Sequence, residues 1–256
     1  MNRALHAEWT KFRTVTGSSW LLVGLAALTV AVGAATAGAA RCPSAACRID
    51  PAKVTLTGAY LSQAVAAVAG VLAISSEYST GMITLSLTAM PRRLTMLAAK
   101  AAVLTGPVIL ASALGVAGSA LDGWLMLPGR GFTAAHGYAS LTAGADLRAA
   151  LGTVLYLTLI ALFSLGIATA VRDPAAAIGI VLGVLYLFPI IASLAPDATI
   201  KRHLEQIGPM SAGLDIQTTI GVRNLPLSPW QGLGVVALWV VGALLLGAVI
   251  LRLHDA

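Results

Sequence analysis

Six apolar runs dominate the hydrophobic pattern of this chain. Stretches without Asp, Glu, Lys, Arg or His cover residues 14–40, 54–76, 101–121, 149–171, 174–196 and 224–251. Each is longer than the roughly 18 to 20 residues that an α-helix needs to cross a hydrocarbon core of about 30 Å. We therefore predict an all-α membrane protein whose six transmembrane helices occupy about 18–40, 54–76, 101–121, 149–171, 174–196 and 230–251. An even number of spans places both termini on one side.

The fourth and fifth spans are separated by Arg172, Asp173 and Pro174 alone. So short a connection predicts a tight antiparallel hairpin. Asp173 has the side chain of a helix N-cap, and Pro174 suits the first helical position that follows it.

Residues 196–229 form the longest connection on the side opposite the termini. Apolar residues follow helical spacing on both sides of Gly208-Pro209, namely Ile200, Leu204 and Ile207 before it and Leu214, Ile216 and Ile220 after it. This pattern fits two structures. Short helices could dip back toward the bundle, or the loop could rest on the membrane.

The N-terminal segment is amphipathic. Leu5, Trp9 and Phe12 share one helical face, while Lys11 lies opposite them. A tryptophan beside basic residues is typical of a helix that lies in the membrane interface, so we predict such a helix over residues 1–16. The alternative is a flexible basic tail that orients the first span.

A charged segment, residues 77–100, joins the second and third spans. Glu77 and Lys100 stand at its ends, and Pro91 with the two arginines after it interrupts its middle. Apolar and polar residues alternate over 83–88, which fits a half-buried strand on periodicity alone. Beside a bilayer, however, short helices satisfy the backbone more easily than a lone strand does.

Composition agrees with membrane insertion. The chain is 58% hydrophobic and 10% charged, with a mean hydropathy of +0.87, whereas soluble domains are roughly one quarter charged. Its net charge of +6 is spread over the loops. This distribution favours an anionic lipid surface as the partner, and no nucleic acid.

Topology and cysteine chemistry lead to the same orientation. Eight of the Lys and Arg residues fall on each side, but they are denser on the side of the termini, which favours cytoplasmic termini. Cys42 and Cys47 in the first loop would then face an oxidising compartment and could form a disulfide. Their spacing does not match a zinc site.

Several functions lack their sequence motifs. The charge-free runs disfavour an ion-coupled carrier that works alone, because such carriers keep ionisable groups at membrane depth. The four histidines match no metalloprotease spacing, and the phosphate-binding Gly-x4-Gly-Lys-Ser/Thr loop is missing. We expect no catalytic, cofactor-binding or metal-binding residue, and no enzymatic activity in this chain.

Several motifs resemble those of bacterial type 2 export permeases, which are subunits of ATP-binding-cassette transporters. The most specific is Ser76-Glu77-Tyr78-x-x-Gly81-Met82, followed by Pro91-Arg92-Arg93 and Lys100. Similar stretches are Glu8 to Arg13, Gly208 to Gly213, and the ending Arg252-x-x-Asp255-Ala256, where His254 replaces a basic residue often found there. The resemblance covers nearly the whole length and implies one six-span permease domain, residues 1–256.

The resemblance also implies partners and roles. It implies two ATP-binding-cassette ATPase subunits that bind ATP and magnesium, a second permease copy or related permease, and a bacterial cytoplasmic membrane location. The residues implied to couple to the ATPase in the cytoplasmic segment 77–100 are Glu77, Tyr78, Gly81, Pro91, Arg92 and Arg93. Those of the interfacial helix are Leu5, Trp9, Lys11, Phe12 and Arg13.

The expected function is export of an apolar or amphipathic molecule, such as a drug-like compound, a peptide or a lipid. Uncharged walls suit such a cargo. The alternative is a non-transporting immunity or signalling subunit that uses the same six spans as an anchor.

Overall fold

The computed structural model describes residues 9–10, 16–42, 49–79, 93–132 and 144–253, and no strand occurs among them. Its helices, numbered in chain order, are α1 (Thr16–Ala39), α2 (Pro51–Leu56), α3 (Ala59–Ser79), α4 (Arg93–Met126), α5 (Gly144–Val171), α6 (Pro174–Leu194), α7 (Ala198–Ile207), α8 (Pro209–Leu214) and α9 (Pro229–Leu253). Six helical stretches are long and apolar enough to cross a membrane, with α2 and α3 together forming the second. The prediction of a six-span, all-α membrane architecture is confirmed.

Local sequence explains where several helices begin. The Asp50 carboxylate accepts hydrogen bonds from the first turn of α2, and the Asp173 carboxylate accepts one from the amide of Ala176 in α6 at 2.7 Å. A proline follows each aspartate as the first helical residue. Proline suits this position because a backbone N–H there would have no partner within the helix. The predicted hairpin between α5 and α6 is therefore confirmed.

The connections define two faces of the bundle. We call the face that contains Cys42, Asp50 and the residues between α6 and α9 the cap face. There the Cys42 amide donates to the carbonyl of Arg130, just beyond α4, at 2.9 Å. The opposite, terminal face carries the α5–α6 hairpin and the end of α9. Each span runs from one face to the other.

Helix α5 lies at the centre of the bundle, and α3 and α9 pack on it. Its Tyr156, Leu157, Ile160 and Phe163 are fully or almost fully buried and belong to the main apolar core. By contrast, α1 and α6 bury a much smaller share of their residues. Their exposed apolar side chains suit contact with lipid.

Exposed tryptophans stand near the ends of the spans. Trp124 and Trp230 lie at the cap face, and Trp20 lies in the first turns of α1 near the terminal face. Tryptophan is enriched at both membrane–water interfaces because its ring is apolar and its N–H is polar. The positions of these rings fit a bilayer between the two faces.

Small residues allow close helix contacts on one span and not on another. On α4, Gly115 lies against α1, and the Ser119 hydroxyl donates to the Thr29 carbonyl at 3.0 Å. Small residues therefore bring the first and third spans into close contact. Gly179 and Gly183 on α6 face open space, so they make no such contact within this chain.

The start of α4 corrects one boundary. We expected residues up to Lys100 to belong to the connecting segment, but α4 begins at Arg93 and Lys100 is only 3% exposed. The helix continues through this lysine, whose side chain has an interaction partner within the protein. The third span therefore contains a buried lysine, which the charge-free run 101–121 did not include.

A glycine at the contact between α5 and α9 provides a test of the packing. A Cβ added at Gly166 would lie 2.6 Å from the Ala243 carbonyl carbon, whereas one added at Gly179 would meet no atom within 4 Å. We expect Gly166→Ala to lower the free energy of unfolding by about 1 to 3 kcal/mol, because two backbones must separate. Gly179→Ala is the matched control and should be neutral or slightly stabilising. Thermal unfolding of both variants in detergent measures the difference, and equal midpoints would contradict this packing.

Candidate functional site

The connection between the fifth and sixth spans enters the bundle. The indole N–H of Trp239 donates to the carbonyl of Ile207, the last residue of α7, at 3.0 Å. Trp239 lies ten residues after Pro229, the start of α9, which corresponds to about 15 Å along the helix axis. Of the two predicted structures for residues 196–229, helices that dip into the bundle describe α8, which is almost entirely buried, whereas no residue of α7 is buried. We call α7 and α8 the re-entrant element.

Small residues let α8 approach the spans closely. Gly232 of α9 lies against the backbone of Ala212, and Gly213 of α8 lies against the ring of Tyr156. A side chain at either glycine would collide with these atoms. The consequence is that α8 is almost entirely buried between α5, α6 and α9.

A group of polar and aromatic side chains surrounds α8. We call Tyr60, Gln63, Tyr156, Tyr186 and Met210 the tyrosine cluster. The Tyr156 hydroxyl donates to Gln63 Oε1, while Gln63 Nε2 donates to the Tyr60 carbonyl at 3.0 Å and lies 3.1 Å from Met210 Sδ. The Tyr186 hydroxyl donates to the same Tyr60 carbonyl at 2.6 Å. The cluster thereby joins α3, α5, α6 and α8.

Burial makes the hydrogen bonds of this cluster important. Gln63 and Tyr156 are both fully buried. An unpaired buried polar group costs about 1 to 3 kcal/mol, more than a typical bond contributes. The amide of Gln63 is satisfied at both its oxygen and its nitrogen, so the cluster favours the arrangement in which α8 lies between the spans.

A second set of bonds holds the chain that follows α8 at the cap face. We call residues 217–220 the clamp segment. The Asp50 carboxylate accepts from the amide and hydroxyl of Thr219 at 2.6 and 2.7 Å and from the amide of Ile220 at 2.9 Å. Because the same carboxylate caps α2, it fixes the clamp segment to the start of the second span.

Helix α5 holds the other half of the clamp segment. Arg148 Nη2 donates to the Thr218 carbonyl at 2.5 Å. Gln217 is buried, and its Nε2 donates to the Thr153 hydroxyl at 3.2 Å and to the Leu56 carbonyl at 3.3 Å. Four consecutive residues are thus bonded to the second and fourth spans.

Asp215 lies between α8 and the clamp segment. Burial raises the pKa of this carboxyl to about 6; nearby Lys53 acts in the opposite direction, and Glu205 adds to the increase. Its side chain makes no hydrogen bond and no ion pair with any residue in the described part of the chain. It is therefore a half-buried carboxylate whose charge other groups only partly compensate.

Of the residues implied to couple to the ATPase, only some lie within the described part of the chain. Glu77 and Tyr78 lie in the last turn of α3, and Arg93 is the first residue of α4, but the side chains of all three are outside the description. Gly81, Pro91 and Arg92 lie outside the described residues altogether. Their roles stay predictions.

The other predicted residues are also covered in part. Trp9 is helical and exposed, whereas Leu5, Lys11, Phe12 and Arg13 lie outside the described residues, so the interfacial helix stays a prediction. Cys42 is buried and disulfide-bonded. Its predicted pairing with Cys47 stays a prediction, because Cys47 lies outside the description.

Sequence reasoning missed the tyrosine cluster although a signal was present. Gln63 is the only carboxamide in the first five apolar runs, and Tyr60, Tyr156 and Tyr186 are the only tyrosines in all six. Polar side chains at membrane depth are costly and face the protein interior. A search for any polar residue in the runs, and not for charges alone, would have found these four.

No group of three or more potential metal ligands comes together among the described residues. No family model matches the sequence, and no curated protein matches it.

The two tyrosine hydroxyls that donate within the cluster, one buried and one more exposed, differ in a testable way. Tyr156→Phe leaves Gln63 Oε1 buried without its donor, so we expect the free energy of unfolding to fall by about 1 to 3 kcal/mol. Tyr186→Phe is the control, since its hydroxyl lies at a more exposed position and donates to a carbonyl; we expect a loss of about 1 kcal/mol or less. Thermal unfolding followed by tryptophan fluorescence measures both. A larger loss for Tyr186→Phe would disprove the assigned network.

Proposed function

We propose that the chain is a permease subunit of an ATP-driven exporter, which moves an apolar or amphipathic molecule across the bacterial cytoplasmic membrane beside a second permease. The observation that carries this proposal is the re-entrant element, which places the tyrosine cluster inside the cap-side half of the bundle.

A membrane anchor has no need of such an element. Non-helical backbone at membrane depth is tolerated only where protein or a water-filled cavity surrounds it, so building a re-entrant element requires many compensating contacts. In transporters, helix breaks of this kind occur at substrate sites. In this chain the buried cluster and the clamp segment supply these compensating contacts, and they favour transport over the anchoring role.

Energy has to come from a partner in this proposal. The sequence lacks the phosphate-binding loop, and its resemblance to export permeases implies separate ATPase subunits at the cytoplasmic face. Assigning the terminal face to the cytoplasm puts Glu77, Tyr78 and the segment up to Arg93 beside those subunits.

Helix α3 offers a direct mechanical connection between the two regions. It carries Tyr60 and Gln63 near its cap-face end and Glu77 near its terminal-face end. Gln63 and Glu77 are fourteen residues apart, or about 21 Å along the axis. A helix transmits a displacement over this distance as a rigid body. ATPase movement at Glu77 would therefore shift Gln63 against Tyr156 and Met210, and the bundle would alternate between two packed states.

Coupling can be tested by substitution. We expect Glu77→Ala and Gly81→Val to leave insertion and complex assembly intact while lowering transport severalfold, because they alter transmission and not span packing. Arg92→Ala should act less strongly, since an exposed charge pair contributes about 0 to 1 kcal/mol. The control is Asp173→Asn, on the same face, where asparagine still caps α6. Transport and ATP hydrolysis are measured on the same reconstituted complex of two permeases and two ATPases.

Two outcomes would contradict the proposal. ATP hydrolysis by the isolated chain would remove the need for a partner. Unchanged transport and ATP use in both Glu77→Ala and Gly81→Val would show that the segment after α3 does not couple the two processes.

A further inference from the structure

Helix α7 carries an apolar stripe that this chain does not cover. Ile200, Leu204 and Ile207 follow the spacing i, i+4 and i+7, which places them on one helical face. The side chains of Ile200 and Ile207 are each 53% exposed, and no residue of α7 is buried. Two large apolar side chains on one face therefore contact whatever surrounds the protein at this point.

The depth of α7 follows from the contacts at its end. The Ile207 carbonyl accepts the indole N–H of Trp239 at 3.0 Å. This indole packs edge-on against Phe163 of α5 and Phe188 of α6, at ring-centroid distances of 5.9 and 6.1 Å. Trp239 lies about 15 Å along α9 from the first residue of that helix. The exposed Ile207 side chain therefore lies beside the spans and not beyond their ends.

Lipid adjoins α7 through the span that precedes it. Only residues 195–197 separate α7 from the end of α6, and the two helices pack on each other. In the same half of α6, Leu187, Ile190 and Ile191 are about half exposed. Because α6 is long and apolar enough to cross the membrane, these side chains contact acyl chains. The lipid around them therefore reaches the neighbouring helix.

Polar side chains surround the stripe in the pattern of an interfacial helix. Lys201 and His203 flank the stripe, and Arg202 lies on the opposite face. All three residues are exposed, and Lys201 Nζ lies 4.0 Å from Glu205 Oε1 on the same helix. Lysine can bury its aliphatic stem along apolar surface while its ammonium stays in the polar layer. An apolar stripe with basic neighbours is typical of a helix in the membrane interface.

We propose that α7 binds the phospholipid surface at the cap face. Ile200 and Ile207 enter the boundary between headgroups and acyl chains. Lys201 extends to the lipid phosphates, and Arg202 on the far face stays in water. Phospholipid thus anchors the re-entrant element from the outside, while the bond from Trp239 holds it from the inside.

A bilayer fits this surface better than a protein partner does. Stable protein interfaces bury about 800 Å² on each partner, whereas the stripe exposes only two isoleucines. A partner protein would also have to desolvate the exposed cations beside the stripe, which is costly. The bilayer covers the isoleucines and leaves the cations among hydrated headgroups. This lipid contact depends on the six-span architecture and is expected whether or not the chain transports a substrate.

Nitroxide labels on single added cysteines in the full chain can locate the stripe. Ile200→Cys and Ile207→Cys probe the two exposed isoleucines. Arg202→Cys is the control for water, and Leu187→Cys, at a position of α6 that is 52% exposed, is the control for lipid. The unmodified chain measures background labelling. Each chain is reconstituted in liposomes of phosphatidylcholine and phosphatidylglycerol, and EPR power saturation measures access to oxygen, which concentrates in the bilayer, and to a water-soluble nickel complex.

We expect the labels at positions 200 and 207 to behave like the label at position 187. Oxygen access should exceed nickel access severalfold at these three positions, and the order should be reversed at position 202. Because the end of α7 is bonded to Trp239, the label at position 207 should lie deeper than the label at position 200.

Two results would overturn the inference. Nickel access at positions 200 and 207 equal to that at position 202 would place the stripe in water. Low access to both reagents would mean that protein covers the stripe, such as a second copy of this chain. All four substitutions replace exposed side chains, and thermal unfolding checks that each variant is folded. The assay needs no ATP, substrate or ATPase, so the lipid contact and the proposed function can fail independently.

Discussion

Inside a bilayer, a polar group that finds no partner in the protein finds none at all. This constraint governs the re-entrant element, because breaking the chain between α6 and α9 exposes backbone groups that water would otherwise satisfy. Three sets of hydrogen bonds hold the element and the chain after it. Trp239 donates to the end of α7, Gln63 and Met210 connect α3 with α8, and the Asp50 carboxylate accepts from the clamp segment.

The same bonds connect the re-entrant element with the rest of the bundle. Through the clamp segment and the tyrosine cluster, it is fixed to α2, α3 and α5. Helix α1 is bonded to both α2 and α4, because the Thr36 hydroxyl donates to the Val54 carbonyl at 2.7 Å and the Ser119 hydroxyl donates to the Thr29 carbonyl at 3.0 Å. Through α2, these contacts link α1 to the region that holds the re-entrant element.

Much of this architecture could be predicted from the sequence. Charge-free runs gave the number of spans, and Asp173-Pro174 gave the α5–α6 hairpin, because both features act locally. The boundary at Lys100 could not be predicted, since a buried lysine depends on partners elsewhere in the fold. The insertion of α8 likewise depends on Gly232 and Gly213 meeting distant atoms, which spacing along the chain does not reveal.

The tyrosine cluster shows a different reason for failure. Its residues come from four separate helices, and each of its four polar members alone is an ordinary polar residue in an apolar run. Only the tertiary structure brings Gln63 to Tyr156, ninety-three positions away. Asp215 is similar, because burial and not sequence context changes its chemistry.

Hydrogen–deuterium exchange of the chain in nanodiscs tests the central claim, that α8 is inserted among the spans, most directly. Peptides that cover Pro209–Leu214 should exchange about as slowly as those from the buried part of α5, because α8 is buried among the spans. Peptides from the exposed helix α7 should exchange much faster. If Pro209–Leu214 exchanged as fast as α7, the element would lie on the membrane surface, and the site built around it would not exist.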